Sequence, residues 1–171
     1  MKVKNFIITF ISAIALLLST STISLAKVVG DKIVLGAAVS LTGKYSSNGV
    51  HTQNGYNIAV ERINSMGGVK VDGKSYKFEI IYYDDESNSG RAAQLAERLI
   101  KQDGVQFMLG PYSSGLTKAM APVTEKYQVP MVEANGASRS LFTKGYKYLF
   151  AVLAPANLYL DVAIDTAVEK N

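Results

Sequence analysis

Strand-like and helix-like segments alternate along this chain, and the alternation predicts an α/β fold on a mostly parallel, doubly wound sheet. Three observations carry the prediction. The strand segments are continuous apolar runs rich in branched residues, as strands buried on both faces require. The helix segments repeat apolar residues at helical spacing. Strand centres near Gly36, Ile80, Phe107 and Val132 lie about one βαβ unit apart.

Taken in order, "KIVLGAAVS" (32–40) reads as a buried strand and "LTGKYSSNG" (41–49), polar and glycine-containing, as a loop. Over residues 52–66, Tyr56, Ala59, Val60, Ile63 and Met66 recur at helical spacing, and Gly67-Gly68 stops the helix. "VDGK" (71–74) is a turn and "YKFEIIYY" (76–83) a second strand. "DDESNSG" (84–90) is a loop ending in the candidate N-caps Ser87, Asn88 and Ser89. "RAAQLAERLIKQDG" (91–104) is the clearest helix, with Ala92, Leu95, Ala96, Leu99 and Ile100 on one face and Gly104 as its stop. "VQFML" (105–109) is the third strand, and residues 114–126 read as a helix despite Pro122. "VPMVE" (129–133) is the fourth strand, "NGASRSLFTKG" (135–145) a loop and "YKYLFAVL" (146–153) the fifth strand. "NLYLDVAIDTAVEKN" (157–171) opens a further helix.

Residues 1–26 stand apart. Lys2 and Lys4 precede the apolar run "FIITFISAIALLL", and polar "STSTIS" leads to Ser24-Leu25-Ala26, with small residues where a leader peptidase needs them. The segment reads as an export signal cleaved after Ala26. Its apolar run is shorter than the roughly 20 residues that span a membrane. Two of the 18 basic residues lie in this leader, so the formal net charge of +4 halves without them. The other Lys and Arg are scattered, without runs or aromatic interleaving, which argues against a nucleic-acid partner. With no Cys, disulfides and a lipid-modified Cys are both excluded.

In a sheet of this kind, ligands bind beyond the carboxyl ends of the strands, near the switch in strand order. Those ends are "SLTG", "DDES", "GPYSSG" and "EANGAS". A serine hydrolase needs G-x-S-x-G and a later His, whereas the single His, His51, precedes Ser113 and Ser114. No catalytic residue is assigned. One His and no Cys make a poor zinc site. The first loop carries neither the dinucleotide nor the Walker pattern, so no cofactor is expected. Asp84, Asp85 and Glu86 could hold a hard cation, but no second acidic cluster completes the shell. Loop and cap roles are expected for them instead.

That leaves holding a ligand. Ser114 and Gly115 stand where a helix start offers backbone N–H groups and the positive end of its dipole. The loop "ANGAS", with Asn135, Ala137 and Ser138, offers similar donors beside it, and Tyr112 lies in the same turn as the serines. A carboxylate between the two loops would take several hydrogen bonds without meeting a nucleophile. Ser113 or Ser114 would also serve as the N-cap.

The leader, "IVLGAAVSLTGKYSSNG", "NGYNIAVERINSMGGV", "IIYYDDESN", "AERLIKQDGVQFMLGPYSSG" and "APVTEKYQVPMVEANGAS" together resemble the N-terminal lobe of the periplasmic leucine/isoleucine/valine-binding proteins, the substrate-binding components of branched-chain amino-acid ABC transporters. The resemblance covers nearly all of the chain after the leader. It implies the first lobe of a two-lobed, type I periplasmic-binding fold whose lobes close on a ligand about a hinge. The implied boundaries are a signal peptide over residues 1–26, a ligand-binding lobe over 27–152, and a crossover into a truncated second lobe over 153–171. Ser114 would grip the amino acid's carboxylate and part of its ammonium group, with Asn135 and Ala137 adding bonds from the next loop.

The implied function is non-catalytic binding of an amino acid of branched-chain type, or of a related small carboxylate or amide. The implied partner is a membrane permease, the location periplasmic and the full-length protein monomeric. Two departures bear on the ligand. Ala137 lacks a hydroxyl where the family has Thr, although Ser138 is adjacent. Glu133 and Asn135 add polarity to a loop that is usually plainer. The ligand-binding domain of a sensory receptor with this fold, and a small exported α/β hydrolase, remain alternatives.

Overall fold

The computed structural model describes residues 28–169, so the leader expected over residues 1–26 lies outside the described residues. The chain runs β1 (Val28–Val29), β2 (Lys32–Val39), α1 (Ser46–Ser65), β3 (Val69–Val71), β4 (Lys74–Asp84), α2 (Ser89–Lys101), β5 (Met108–Leu109), α3 (Ser114–Lys126), β6 (Met131–Glu133), β7 (Leu149–Ala151) and α4 (Asp161–Glu169). Short 3₁₀ turns at Arg139–Leu141 and Ala156–Leu158 interrupt the last two connections.

The sheet order is β3–β4–β2–β5–β6–β7, and β4, β2, β5, β6 and β7 are parallel. Counting only these parallel strands, the order is that of a doubly wound sheet whose direction switches between β2 and β5. That is the α/β arrangement expected from the alternation of segments. β1 lies antiparallel to the start of β2, on the edge that β5 takes further along. β3 and β4 form a hairpin over Asp72-Gly73, both at positive φ (49° and 81°), the turn geometry that matches strand twist. The sequence shows that turn but not the short β3 before it.

Helices α2 and α3 cover one face. Their apolar sides, with Leu95, Leu99, Leu116 and Met120, close on Val34, Ala38, Met108 and Met131 in a fully buried core. Among the described residues, helix α1 covers the other face, and less completely, since only Gly49 and Thr52 of its residues are buried. A groove of about 390 Å³ remains beside it, floored by Leu35, Phe107, Leu109 and Val132 and walled by Val60 and Ile63. Phe150 pairs in register with Val132 and extends the same exposed apolar row onto β7.

Several boundaries differ from the sequence reading, and four of them have a visible cause. Helix α1 begins at Ser46 instead of near residue 52, because its first turn presses on the end of β2. A Cβ on Gly49 would overlap the Ser40 carbonyl oxygen, so only glycine allows that approach. β6 begins at Met131 because Pro130 has no N–H to give the ladder. β7 begins at Leu149 because the Lys147 and Tyr148 N–H groups donate to the Glu125 carboxylate at 2.9–3.1 Å. β5 keeps only Met108 and Leu109, since the Val105 N–H closes the end of α2 on the Leu99 carbonyl at 3.0 Å.

Candidate functional site

The carboxyl ends of β2, β4, β5 and β6 converge with the starts of α1 and α3. Two acids at the end of β4 hold the first loop in place. Asp84 accepts from the Leu41 N–H at 2.9 Å, the Thr42 N–H at 3.2 Å, the Thr42 hydroxyl at 2.7 Å and the Glu86 N–H at 2.8 Å. Burial pushes its pKa up, but these hydrogen bonds outweigh it and hold the carboxyl below the usual range. Asp85 is fully buried, and its Oδ1 accepts from the Ser40 hydroxyl at 2.6 Å and the Ser87 N–H at 2.8 Å. Burial pushes the Asp85 carboxyl up. Asn88 caps α2 by accepting from the Arg91 N–H at 2.9 Å. Asp84 and Asp85 of "DDESNSG" therefore hold loop geometry, while the exposed Glu86 carboxylate pairs with Arg91 at 3.3 Å.

The question of which serine caps α3 has a clear answer. Ser113 is the N-cap, and its Oγ accepts from the Leu116 N–H at 3.4 Å. Its backbone is left-handed, with φ +87°. Ser114 follows as the first helical residue, and its Oγ accepts from the Ser138 N–H at 3.0 Å. This bond joins the turn after β5 to the loop after β6. Ser114, Asn135, Ala137 and Ser138 are all half-buried at that junction. Gly115 is exposed in the first turn of α3, and the Ser138 and Ser140 hydroxyls share a hydrogen bond of 2.9 Å. Tyr112 sets its ring edge-on to Tyr45, with centroids 5.6 Å apart. The six sequence candidates thus lie on two touching loops.

Three participants escape the sequence reading of the site. The Tyr56 hydroxyl donates to the Gly110 carbonyl at 2.6 Å, pinning α1 to the end of β5. Burial, and then the charge of Glu133, push its phenol above the ordinary range. Periodicity finds the Tyr56 ring but says nothing of its hydroxyl. Tyr45 is hidden in a stretch that reads as plain loop. Glu133 is visible only as added polarity, yet it is fully buried at the end of β6. Its Oε2 accepts from the Asn135 N–H at 3.1 Å and from the Gly136 N–H. Burial pushes this carboxyl up against the effect of those bonds.

The junction offers hydroxyls, backbone donors and the positive end of α3 to a small polar ligand. His51 is exposed on α1, and Ser114 Oγ accepts the Ser138 N–H. The fold is a doubly wound α/β unit with two loops joined at its strand ends. Over residues 32–171 the sequence matches the family described as periplasmic binding protein, and the chain belongs to that family.

The leucine-, isoleucine-, valine-, threonine- and alanine-binding protein of Pseudomonas aeruginosa is 28% identical over 78% of this chain and 34% of its own. The leucine-specific-binding protein of Salmonella typhimurium is 26% identical over 70% of this chain and 31% of its own. The branched-chain amino acid transporter substrate-binding protein of Streptococcus pneumoniae, solved with isoleucine, is 32% identical with a TM-score of 0.63, over 70% of this chain and 33% of its own. A solute-binding protein of an ABC transporter from R. palustris, solved with 4-hydroxybenzoate, is 27% identical with a TM-score of 0.66, over 82% and 37%. The chain spans about a third of the length of the curated relatives it matches. The likeness to branched-chain amino-acid binding proteins read from the sequence motifs is thus found in both sequence and structure. Among the described residues, no helix is long and apolar enough to cross a membrane.

Proposed function

We propose that this chain supplies the first ligand-gripping lobe of the solute-binding component of an ABC importer, exported and without catalysis. The observation that carries the reading is the bond from the Ser138 N–H to Ser114 Oγ. It joins the loops at the carboxyl ends of β5 and β6, beside the switch point between β2 and β5 where a doubly wound sheet binds its ligand. The Ser114 hydroxyl keeps its own proton to donate outward. The ligand is a small carboxylate, foremost an amino acid of the branched-chain type. Isoleucine and 4-hydroxybenzoate, bound by two of the similar structures, have a carboxylate in common.

On this reading residues 27–152 are the lobe and residues 153–171 lead into a second one, which supplies the remaining contacts. The exposure of α4 along its length supports that division. Residues 1–26 are the leader, the location is periplasmic, and the partner is a membrane permease that the liganded protein meets as a monomer.

The test is calorimetric titration of the exported protein with leucine, isoleucine, valine and 4-hydroxybenzoate, repeated on Ser114→Ala. A hydrogen bond to a charged group contributes roughly 1.5–3 kcal/mol, so affinity should fall about 10- to 150-fold. Unchanged affinity would remove Ser114 from the site. Stoichiometric labelling of Ser114 by a fluorophosphonate would overturn the non-catalytic reading.

A further inference from the structure

We infer that Glu133 is the positioning residue of this site: its buried carboxylate bends residues 134–138 into the loop that meets Ser114. The inference rests on the ligand-binding reading of that loop. Glu133 is fully buried while Asn135, Ala137 and Ser138 around it are half-exposed. A ligand in the site therefore touches the loop, with the carboxylate behind it.

A carboxylate is costly to bury, and Oε1 has no hydrogen-bond partner. What its presence accomplishes is visible in the backbone. Oε2 accepts from the N–H groups two and three residues ahead, Asn135 at 3.1 Å and Gly136, and it faces the Thr117 hydroxyl of α3 at 3.5 Å. This is the local side-chain-to-backbone closure that Asp and Asn give to turns, made here by the longer Glu. The fit is close. A Cβ on Gly136 would lie 2.6 Å from Glu133 Oε2 and 2.9 Å from both Thr117 Oγ1 and Leu141 Cδ1. Two residues beyond Gly136, the chain delivers the Ser138 N–H to Ser114 Oγ.

A chain of contacts thus runs from Glu133 through Asn135 and Gly136 to Ser138 and Ser114. The N–H groups of Asn135 and Gly136 turn inward and are occupied, which leaves the half-buried Ala137 and Ser138 as the part of the loop that faces a ligand. Holding the loop in this shape before binding lowers the ordering that binding must otherwise accomplish.

The experiment is amide NMR with hydrogen exchange on the exported protein, its Glu133→Gln and Glu133→Ala variants, and titration of each with L-isoleucine and with 4-hydroxybenzoate. In the wild type, the Asn135 and Gly136 amide protons should lie downfield and exchange slowly. In both variants, exchange at Asn135, Gly136 and Ser138 should accelerate at least about 10-fold, more in Ala than in Gln, which keeps one acceptor oxygen. Affinity for whichever probe binds should fall about 10-fold at 25 °C, the equivalent of ~1.4 kcal/mol.

A merely structural Glu133 would lower the melting temperature but leave loop exchange and affinity at their wild-type values, and that result overturns the inference. If neither variant folds, the wild-type spectrum decides: fast exchange at Asn135 and Gly136 refutes it. If the wild type binds neither probe, the ligand reading fails for these carboxylates, while the exchange measurement still judges Glu133.

Discussion

Replacing Ser113 by glycine should stabilise this protein, and replacing it by alanine should destabilise it. Ser113 sits at φ +87° and ψ 145°, bordering a region that only glycine enters freely. Such a conformation stores about 1–3 kcal/mol in any residue with a Cβ. Glycine releases that strain. Against it stand a few tenths of a kcal/mol for the lost cap, and about 0.5–1 kcal/mol for the wider freedom of glycine in the unfolded chain. Glycine is itself a tolerated N-cap, which keeps that loss small. The balance for Ser113→Gly is a gain of about 1 kcal/mol. Ser113→Ala keeps the strained backbone and loses the cap, a loss of about 1 kcal/mol. The two variants should therefore differ by about 2 kcal/mol in urea unfolding followed by circular dichroism, at unchanged slope. A glycine variant no more stable than the alanine variant would refute the argument from strain.

Other expectations follow from the same geometry. Gly49→Ala places a Cβ on the Ser40 carbonyl oxygen, a backbone atom that cannot step aside, and should lose about 3 kcal/mol or more in the same unfolding assay; a smaller loss would mean that α1 docks loosely. The raised carboxyls of Asp85 and Glu133 contribute stability that is complete below their unfolded values, near 4, and lost as pH rises through their folded values, so unfolding midpoints should climb as pH falls through those folded values toward about 4. Asp84, held low, works in the opposite sense, and its contribution should disappear only below about pH 4, as pH falls through its folded value. Midpoints that decline steadily as pH falls from neutrality toward about 4, unaltered in Asp85→Asn, would contradict this assignment. Mass spectrometry of the exported protein should find Lys27 first, and an intact Met1 in the membrane fraction would count against the leader.

Helices α2 and α3 were legible because their signals are local. Leu95 and Leu99 repeat at helical spacing, and Ser113-Ser114 follows an apolar strand at a glycine-proline break. The start of α1 was not legible. Its first turn holds Ser46, Ser47, Asn48 and Gly49, which read as loop until Gly49 is seen against β2. The candidate loops were sought at strand ends, because a doubly wound sheet concentrates function there. Their supports were harder to find. Tyr56 announces an apolar face by its spacing, and the partner of its hydroxyl lies 54 residues away at Gly110. Glu133 follows an apolar strand, where an acid commonly begins a solvated loop. Only the fold shows that the backbone closes over it.

The unequal covering of the two sheet faces has a consequence for how this molecule breathes. Leu99, Met108, Leu116, Met120 and Met131 are sealed between the sheet and α2 with α3, so amides there should exchange only through global unfolding. Helix α1 buries little of itself and borders an open groove, so it can detach in a sub-global opening of lower free energy. Its detachment would break the Tyr56 bond to Gly110, beside the strand end from which the serine turn departs. The hierarchy of openings therefore reaches the strand ends from the less covered side: solvent and denaturant should loosen the serine turn while the layer beneath it is still intact.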